Sequence, residues 1–220
     1  MRIMGIFMIL VAVVSYADSS LLKNSSEKAE TGDVPPLTGR SVLFDQAYTG
    51  VIDTALRSGG LYLNADDFVL TEAGQVESIE CWSIFVGGQD GSFYLRIYSN
   101  YTGCQNVPST PGDILWEIPA ASAVNTDTGD DLFGNDIYHT EIVLDSSDYF
   151  AVESNTVYWF SIYYNEENYY WGILEEGGLM CHSYDSGDWT THDSVCFFRL
   201  NGTPSQALEA TTWAAIKTGF

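Results

Sequence analysis

Basic side chains are scarce in this chain: 8 lysines and arginines stand against 30 aspartates and glutamates in 220 residues, for a formal net charge of −22 and a sequence pI near 4.1. A polyanion approaching such a surface meets repulsion and releases few counterions, which excludes nucleic acid as a natural partner. Anionic bilayers are disfavoured in the same way. Long apolar runs are missing too. After Val14 no stretch approaches the roughly 20 apolar residues of a membrane-spanning helix, so no span is expected in the mature chain. No sustained helical period occurs between Ser41 and Leu200, which argues against an α/β fold. There are only 3 histidines and 4 cysteines, with no Cys-x-x-Cys pair and no Gly-x-Ser-x-Gly elbow, so a zinc knuckle or a serine nucleophile has little to be built from.

What is present is strand chemistry. Hydrophobic residues make up 45% of the chain and aromatics 14%, enough apolar surface to offset chain entropy. From Ala65 onward, alternating segments recur with turn residues between them. In Phe93–Tyr98 (FYLRIY), Phe93, Leu95 and Ile97 fall on one face and Tyr94, Arg96 and Tyr98 on the other. In Ile137–Leu144, Tyr138, Thr140, Ile142 and Leu144 share a face. Val157–Trp171 reads as two aromatic strands joined by a turn at Asn165-Glu166-Glu167-Asn168. Gly177-Gly178 reads as another turn, and His182–Ser194 as a loop. About nine strands without intervening helices predict an all-β fold, an antiparallel two-sheet β-sandwich of jelly-roll type.

The ends carry different signals. Met1-Arg2, an apolar run from Ile3 to Val14 and small residues at Ser15 and Ala17 predict a signal peptide over 1–17 and hence a secreted protein. Residues 18–40, polar and holding Pro35-Pro36, read as a flexible leader; 41–202 as the domain; 203–220 as a linker and tail, with a helix over Glu209–Thr218. Export makes disulfides the expected state of Cys81, Cys104, Cys181 and Cys196. Three connectivities are possible, and proximity favours Cys81–Cys104 with Cys181–Cys196. Sequons at Asn24, Asn100 and Asn201 matter only in a host that glycosylates.

Several groups are candidates for chemistry. Trp159, Tyr163, Tyr170 and Trp189 could form an aromatic platform for a sugar, against the alternative of plain core packing. Asn125, Asp127, Asp130, Asp131 and Asp136 in NTDTGDDLFGND read as a loop with oxygens enough to wrap Ca²⁺, although Gly129 stands where an EF-hand needs a ligand and the terminal Glu is missing. His182 and His192 with Asp185 or Asp193 could hold a metal. Asp66 and Asp67 open a strand; a buried carboxylate accepting backbone N–H groups is the favoured reading, a ligand site the other. Glu80, Glu141, Glu153, Glu166-Glu167 and Glu175-Glu176 offer carboxylate pairs for glycoside hydrolysis, but without the Glu-x-Asp-x-x-Glu pattern of sandwich glucanases.

The ADDF segment (Ala65–Phe68), then Ile79 and Trp82, then Phe93–Tyr98, followed by a loop bearing Gly103, Pro108, Pro111 and Gly112, resembles a β-sandwich domain that recurs in large secreted and cell-surface bacterial proteins. The resemblance covers about residues 43–201. It implies a non-catalytic, carbohydrate-binding-like or adhesion-like module without naming its ligand; the expected partner is a glycan or a cell surface, and Ca²⁺ is the cofactor candidate the residues themselves offer. Ala210–Phe220 resembles a short Thr-Trp-x-x-Ile-Lys ending of some secreted bacterial proteins, which implies sorting or anchoring and, as the alternative function, an adhesive surface subunit.

Overall fold

The computed structural model describes residues 21–23, 40–50, 52, 54–87, 89, 91–102, 109–184 and 188–205. The segment expected as a signal peptide, most of the expected leader, Cys104 and the residues from 206 lie outside these. The described residues contain fourteen strands and no helix. In chain order they are β1 (Leu21–Lys23), β2 (Ser41–Gln46), β3 (Thr54–Arg57), β4 (Tyr62–Val69), β5 (Gly74–Phe85), β6 (Phe93–Tyr101) and β7 (Thr110–Ala121). There follow β8 (Val124–Leu132), β9 (Asn135–Val143), β10 (Phe150–Val152), β11 (Val157–Tyr164), β12 (Tyr169–Tyr184), β13 (Thr190–Cys196) and β14 (Phe198–Pro204). Every ladder between strands is antiparallel, and the fourteen join in one sheet that does not close, with the main order β2-β14-β5-β12-β4-β11-β6-β7. Within the segment expected as a leader, the described residues Leu21–Lys23 form β1 and pair with β3.

β12 is the hinge of this arrangement. Its first residues, Tyr169–Ile173, pair with β5 and β3, while Met180–Tyr184 pair with β4. Between them the ladder to β13 slips from Glu175 to Met180. Gly177 there has φ +105°, open to glycine but strained for other residues, and a Cβ on Gly178 would run into Val195. The Gly-Gly pair is therefore a bulge inside a long strand and not the turn its composition suggests. Likewise most of the expected loop from His182 to Ser194 is the β12–β13 hairpin.

The clean alternations hold. Phe93, Leu95 and Ile97 are buried together with Phe160 and Ile162 of β11 in the main core, which also takes Ile79 and Cys81 from β5 and Phe198 and Leu200 from β14. The two aromatic strands are joined over 165–168 as expected, but they do not pair with each other, β11 lying between β4 and β6; Tyr164 and Tyr169 pack on Phe85 and Phe93. Trp82, Trp159 and Trp171 are all fully buried. Rings of this size each remove 150–250 Å² from water and make such cores costly to truncate, about 3–5 kcal/mol per ring.

Candidate functional site

The outer faces of β6 and β11 place rings and charge in one strip. The register sets Tyr163 opposite Tyr94, Ser161 opposite Arg96 and Trp159 opposite Tyr98. Tyr94 and Tyr163 stack with centroids 4.9 Å apart and planes 17° apart. The Arg96 guanidinium lies 4.9 Å from the Tyr163 ring centre and forms an ion pair with Glu117 of β7. Further along, Trp189 meets Tyr98 edge-on at 5.7 Å. Burial pushes the phenols of Tyr98 and Tyr163 above their ordinary range.

The four platform candidates therefore part company. Trp159 and Tyr170 are interior: Trp159 is covered by Ala65, Tyr98 and Cys181 and donates its Nε1 to Asn100 Oδ1 at 3.0 Å, while Tyr170 accepts Arg57 Nη2 at 3.1 Å. Tyr163 and Trp189 are half-buried at the surface, joined by Tyr94 and Arg96. These two were visible in the sequence only as the outward half of an alternation. Between residues 41 and 204 the only lysines or arginines are Arg57, Arg96 and Arg199. Each pairs with a carboxylate and lies against a ring.

The expected Ca²⁺ loop is instead the β8–β9 hairpin. Phe133 (φ 56°) and Gly134 (φ 73°) are both left-handed, the signature of a type I′ turn. Asp131 accepts the Gly134 N–H at 3.0 Å, Asp127 accepts the Gly129 N–H at 2.8 Å, Asp130 takes the Tyr48 hydroxyl at 3.2 Å, and Asp136 that of Tyr138 at 3.4 Å. These acids each accept one bond, from a local turn or a hydroxyl, and the two-stranded ladder sends neighbouring side chains to opposite faces. Among the described residues no group of three or more His, Cys, Asp or Glu is gathered as a metal-binding set. His182 and His192 do approach, with ring centres 6.1 Å apart, and Asn64 Oδ1 sits 2.7 Å from His182 Nδ1. Asp193 turns to the Gly177 N–H, and Asp185 lies outside the described residues.

Two acids are buried. Asp66 accepts the N–H groups of Cys196 (2.5 Å) and Asp67 (2.8 Å) and the Gln46 amide (2.6 Å), the backbone-accepting role favoured from sequence. Burial nevertheless holds its pKa well above the usual carboxylate range. Glu80 meets His139 Nε2 at 2.8 Å, Asn201 Nδ2 at 2.6 Å and Arg199 Nη1 at 3.4 Å. Its burial is outweighed by these partners, and its pKa is lowered.

The cysteines correct an expectation. Cys81, Cys181 and Cys196 are free, buried thiols. Cys196 lies 4.0 Å from the Met180 sulfur in the main core, whereas Cys181, the next residue along β12, belongs to the cluster around Trp159. Opposite pointing of neighbours in a strand keeps the two apart. Burial pushes the Cys81 and Cys181 thiols up to about 12.

A half-open cavity of about 250 Å³ lies where the start of β6 meets the β7–β8 connection. Its polar lining includes Gln89, Ser92, Ser122 and Asn125, over the buried rings of Phe93 and Tyr164. No protein-family model, curated protein or solved structure matches the chain.

Proposed function

We propose that this chain is a secreted, non-catalytic β-sandwich module of jelly-roll type that binds a carbohydrate or a carbohydrate-bearing cell-surface partner through the outer face of β6 and β11. The sandwich reading is supported by β12, which passes from one group of strands to another, and by a main core that draws side chains from both groups. Export is supported by the apolar amino end.

The observation that carries the binding reading is the half-buried strip of Tyr94, Tyr163 and Trp189 with the Arg96–Glu117 pair beside it. A glycan lying on an open sheet face gains from apolar ring surface with polar groups at its rim, and this strip offers both on a rigid sheet. The locally neutralised arginine suits an uncharged glycan better than an acidic one.

A polysaccharide array probed with the purified domain tests this. Binding to at least one neutral glycan is expected, weakened about tenfold (1.4 kcal/mol) by Tyr94→Ala or Trp189→Ala, with no release of reducing sugar. Failure to bind any glycan overturns the reading.

A further inference from the structure

We propose that the cavity between the start of β6 and the β7–β8 connection seats a single uncharged, hydroxyl-rich ring, that is, one neutral sugar unit. This deepens the carbohydrate reading above and rests on it only for the larger glycan to which that unit would belong.

Charge is the first argument. In a chain with 30 acidic residues, none of the described residues lining this cavity is charged. A cation finds no carboxylate among those residues, and an anion must enter against the field of a chain at −22. Size is the second. At about 250 Å³ the space falls below the 300–1,000 Å³ of pockets for drug-sized ligands, so it fits about one ring and not a chain of them.

The polar groups of the cavity are also set in advance. Ser83 Oγ and Thr140 Oγ1, both fully buried, lie 3.3 Å apart, and Thr140 donates to Asn125 Oδ1 at 2.8 Å. The Asn125 amide is thereby oriented, and its Nδ2 donates to Gln89 Oε1 at 3.0 Å. That turns the Gln89 nitrogen, a two-proton donor, to the far side. A relay from the core thus fixes two amides whose order of donors and acceptors is decided before any ligand arrives. The rim is pinned as well. The Ser92 N–H is held by Asn165 Oδ1 at 2.8 Å and the Gly91 N–H by the Tyr164 hydroxyl. A Cβ at Gly91 would collide with both Asn165 and the Tyr164 ring, so glycine is required there. Phe93 and Tyr164 are 3% and 1% exposed, so almost no apolar surface faces the space, which rules against a hydrophobic guest. Finally, Tyr164 pairs with Phe93 one step from the Tyr163–Tyr94 pair, which places the cavity at the same end of the β6–β11 ladder as the ring strip.

The test is titration of the purified full chain with D-glucose, D-galactose, D-mannose and N-acetyl-D-glucosamine, followed by the side-chain amide NMR signals of Gln89 and Asn125. D-glucuronate and D-glucosamine serve as the anionic and cationic counterparts. At least one neutral sugar should shift those signals saturably, with the charged sugars about tenfold weaker or worse. Asn125→Asp, which puts a charge in the wall, and Ser122→Trp, which fills the space from an exposed position, should each lower the affinity about tenfold or more. Their thermal melts show whether the fold is retained. No neutral monosaccharide binding, equal binding of the charged sugars, or binding indifferent to Ser122→Trp in a folded variant overturns the proposal. If polysaccharide still binds through Tyr94 and Trp189 in that event, the module reading stands and the cavity alone falls. If a monosaccharide binds here while no polysaccharide binds, the cavity stands and the strip falls.

Discussion

Asp66 and Glu80 are both carboxylic acids sealed inside the same sheet, at 1% and 0% exposure, yet their acidities move in opposite directions. Asp66 is met by neutral donors: two backbone N–H groups and the Gln46 amide. Glu80 is met by Arg199, His139 and Asn201. Three neutral hydrogen bonds do not offset the desolvation of a charge, whereas a guanidinium and an imidazole added to an amide do. Burial alone therefore says nothing about the charge of an acid in this protein; its partners decide.

The largest effect that sharpens this comparison is chemical. The Cys181 thiol, raised to about 12 by burial and then by the nearby carboxylates of Asp66 and Asp67, should alkylate about a thousandfold more slowly than an ordinary thiol. Iodoacetamide labelling of the native protein followed by peptide mapping should leave Cys81, Cys181 and Cys196 unmodified and label them after denaturation. A Cys181–Cys196 disulfide in the map would break the structural account.

Glu80→Ala comes next. It removes the buried acceptor shared by Arg199, His139 and Asn201, while the Arg199–Asp45 pair at 3.2 Å remains, and should cost about 3–5 kcal/mol in urea unfolding. Asp66→Ala leaves the Cys196 and Asp67 N–H groups without this acceptor, while the Gln46 amide keeps the Cys196 carbonyl at 2.9 Å, for an expected loss of about 2–3 kcal/mol. Equal costs would mean that the charge of the partners matters less than argued.

The pH dependence should also separate the two. Glu80, lowered in the folded state, contributes stability that is complete above its ordinary 4.5 and is lost as pH falls through the lower folded value. Asp66, raised in the folded state, does the reverse: the folded form holds a proton that the unfolded chain gives up, so stability declines as pH rises above 3.8 until the raised value is passed. Urea midpoints measured across this range should show the acid limb flattened by Glu80→Gln and the decline above it flattened by Asp66→Asn. The smallest effect belongs at the surface, where breaking the Tyr94–Tyr163 stack by Tyr94→Ala should cost about 0.5–1.5 kcal/mol.

How much of this was legible varies residue by residue. The β6 alternation, the turn at 165–168 and the shared face of Tyr138, Thr140, Ile142 and Leu144 could be read directly, because a period of two is local. The β8–β9 hairpin could not: its acids carry no apolar alternation, and the left-handed turn has Phe133 where a small polar residue is usual. Gly177-Gly178 misled because a bulge and a turn need the same backbone freedom. Trp159 and Tyr163 share a strand face, yet one is interior and one is not, since Trp159 alone is roofed by Tyr98, Ala65 and Cys181. The cavity left no sequence signal, being assembled from segments far apart in the chain.

By itself the sequence determined that the chain is all-β and how side chains face within the strands that alternate, both of which follow from φ, ψ and near neighbours. Only the tertiary structure decided which faces are covered, which acid is met by cations, that Cys181 and Cys196 point into different clusters, and that two amides meet at one cavity. Those outcomes depend on which distant strand arrives at each face, and local periodicity carries no information about the arrival.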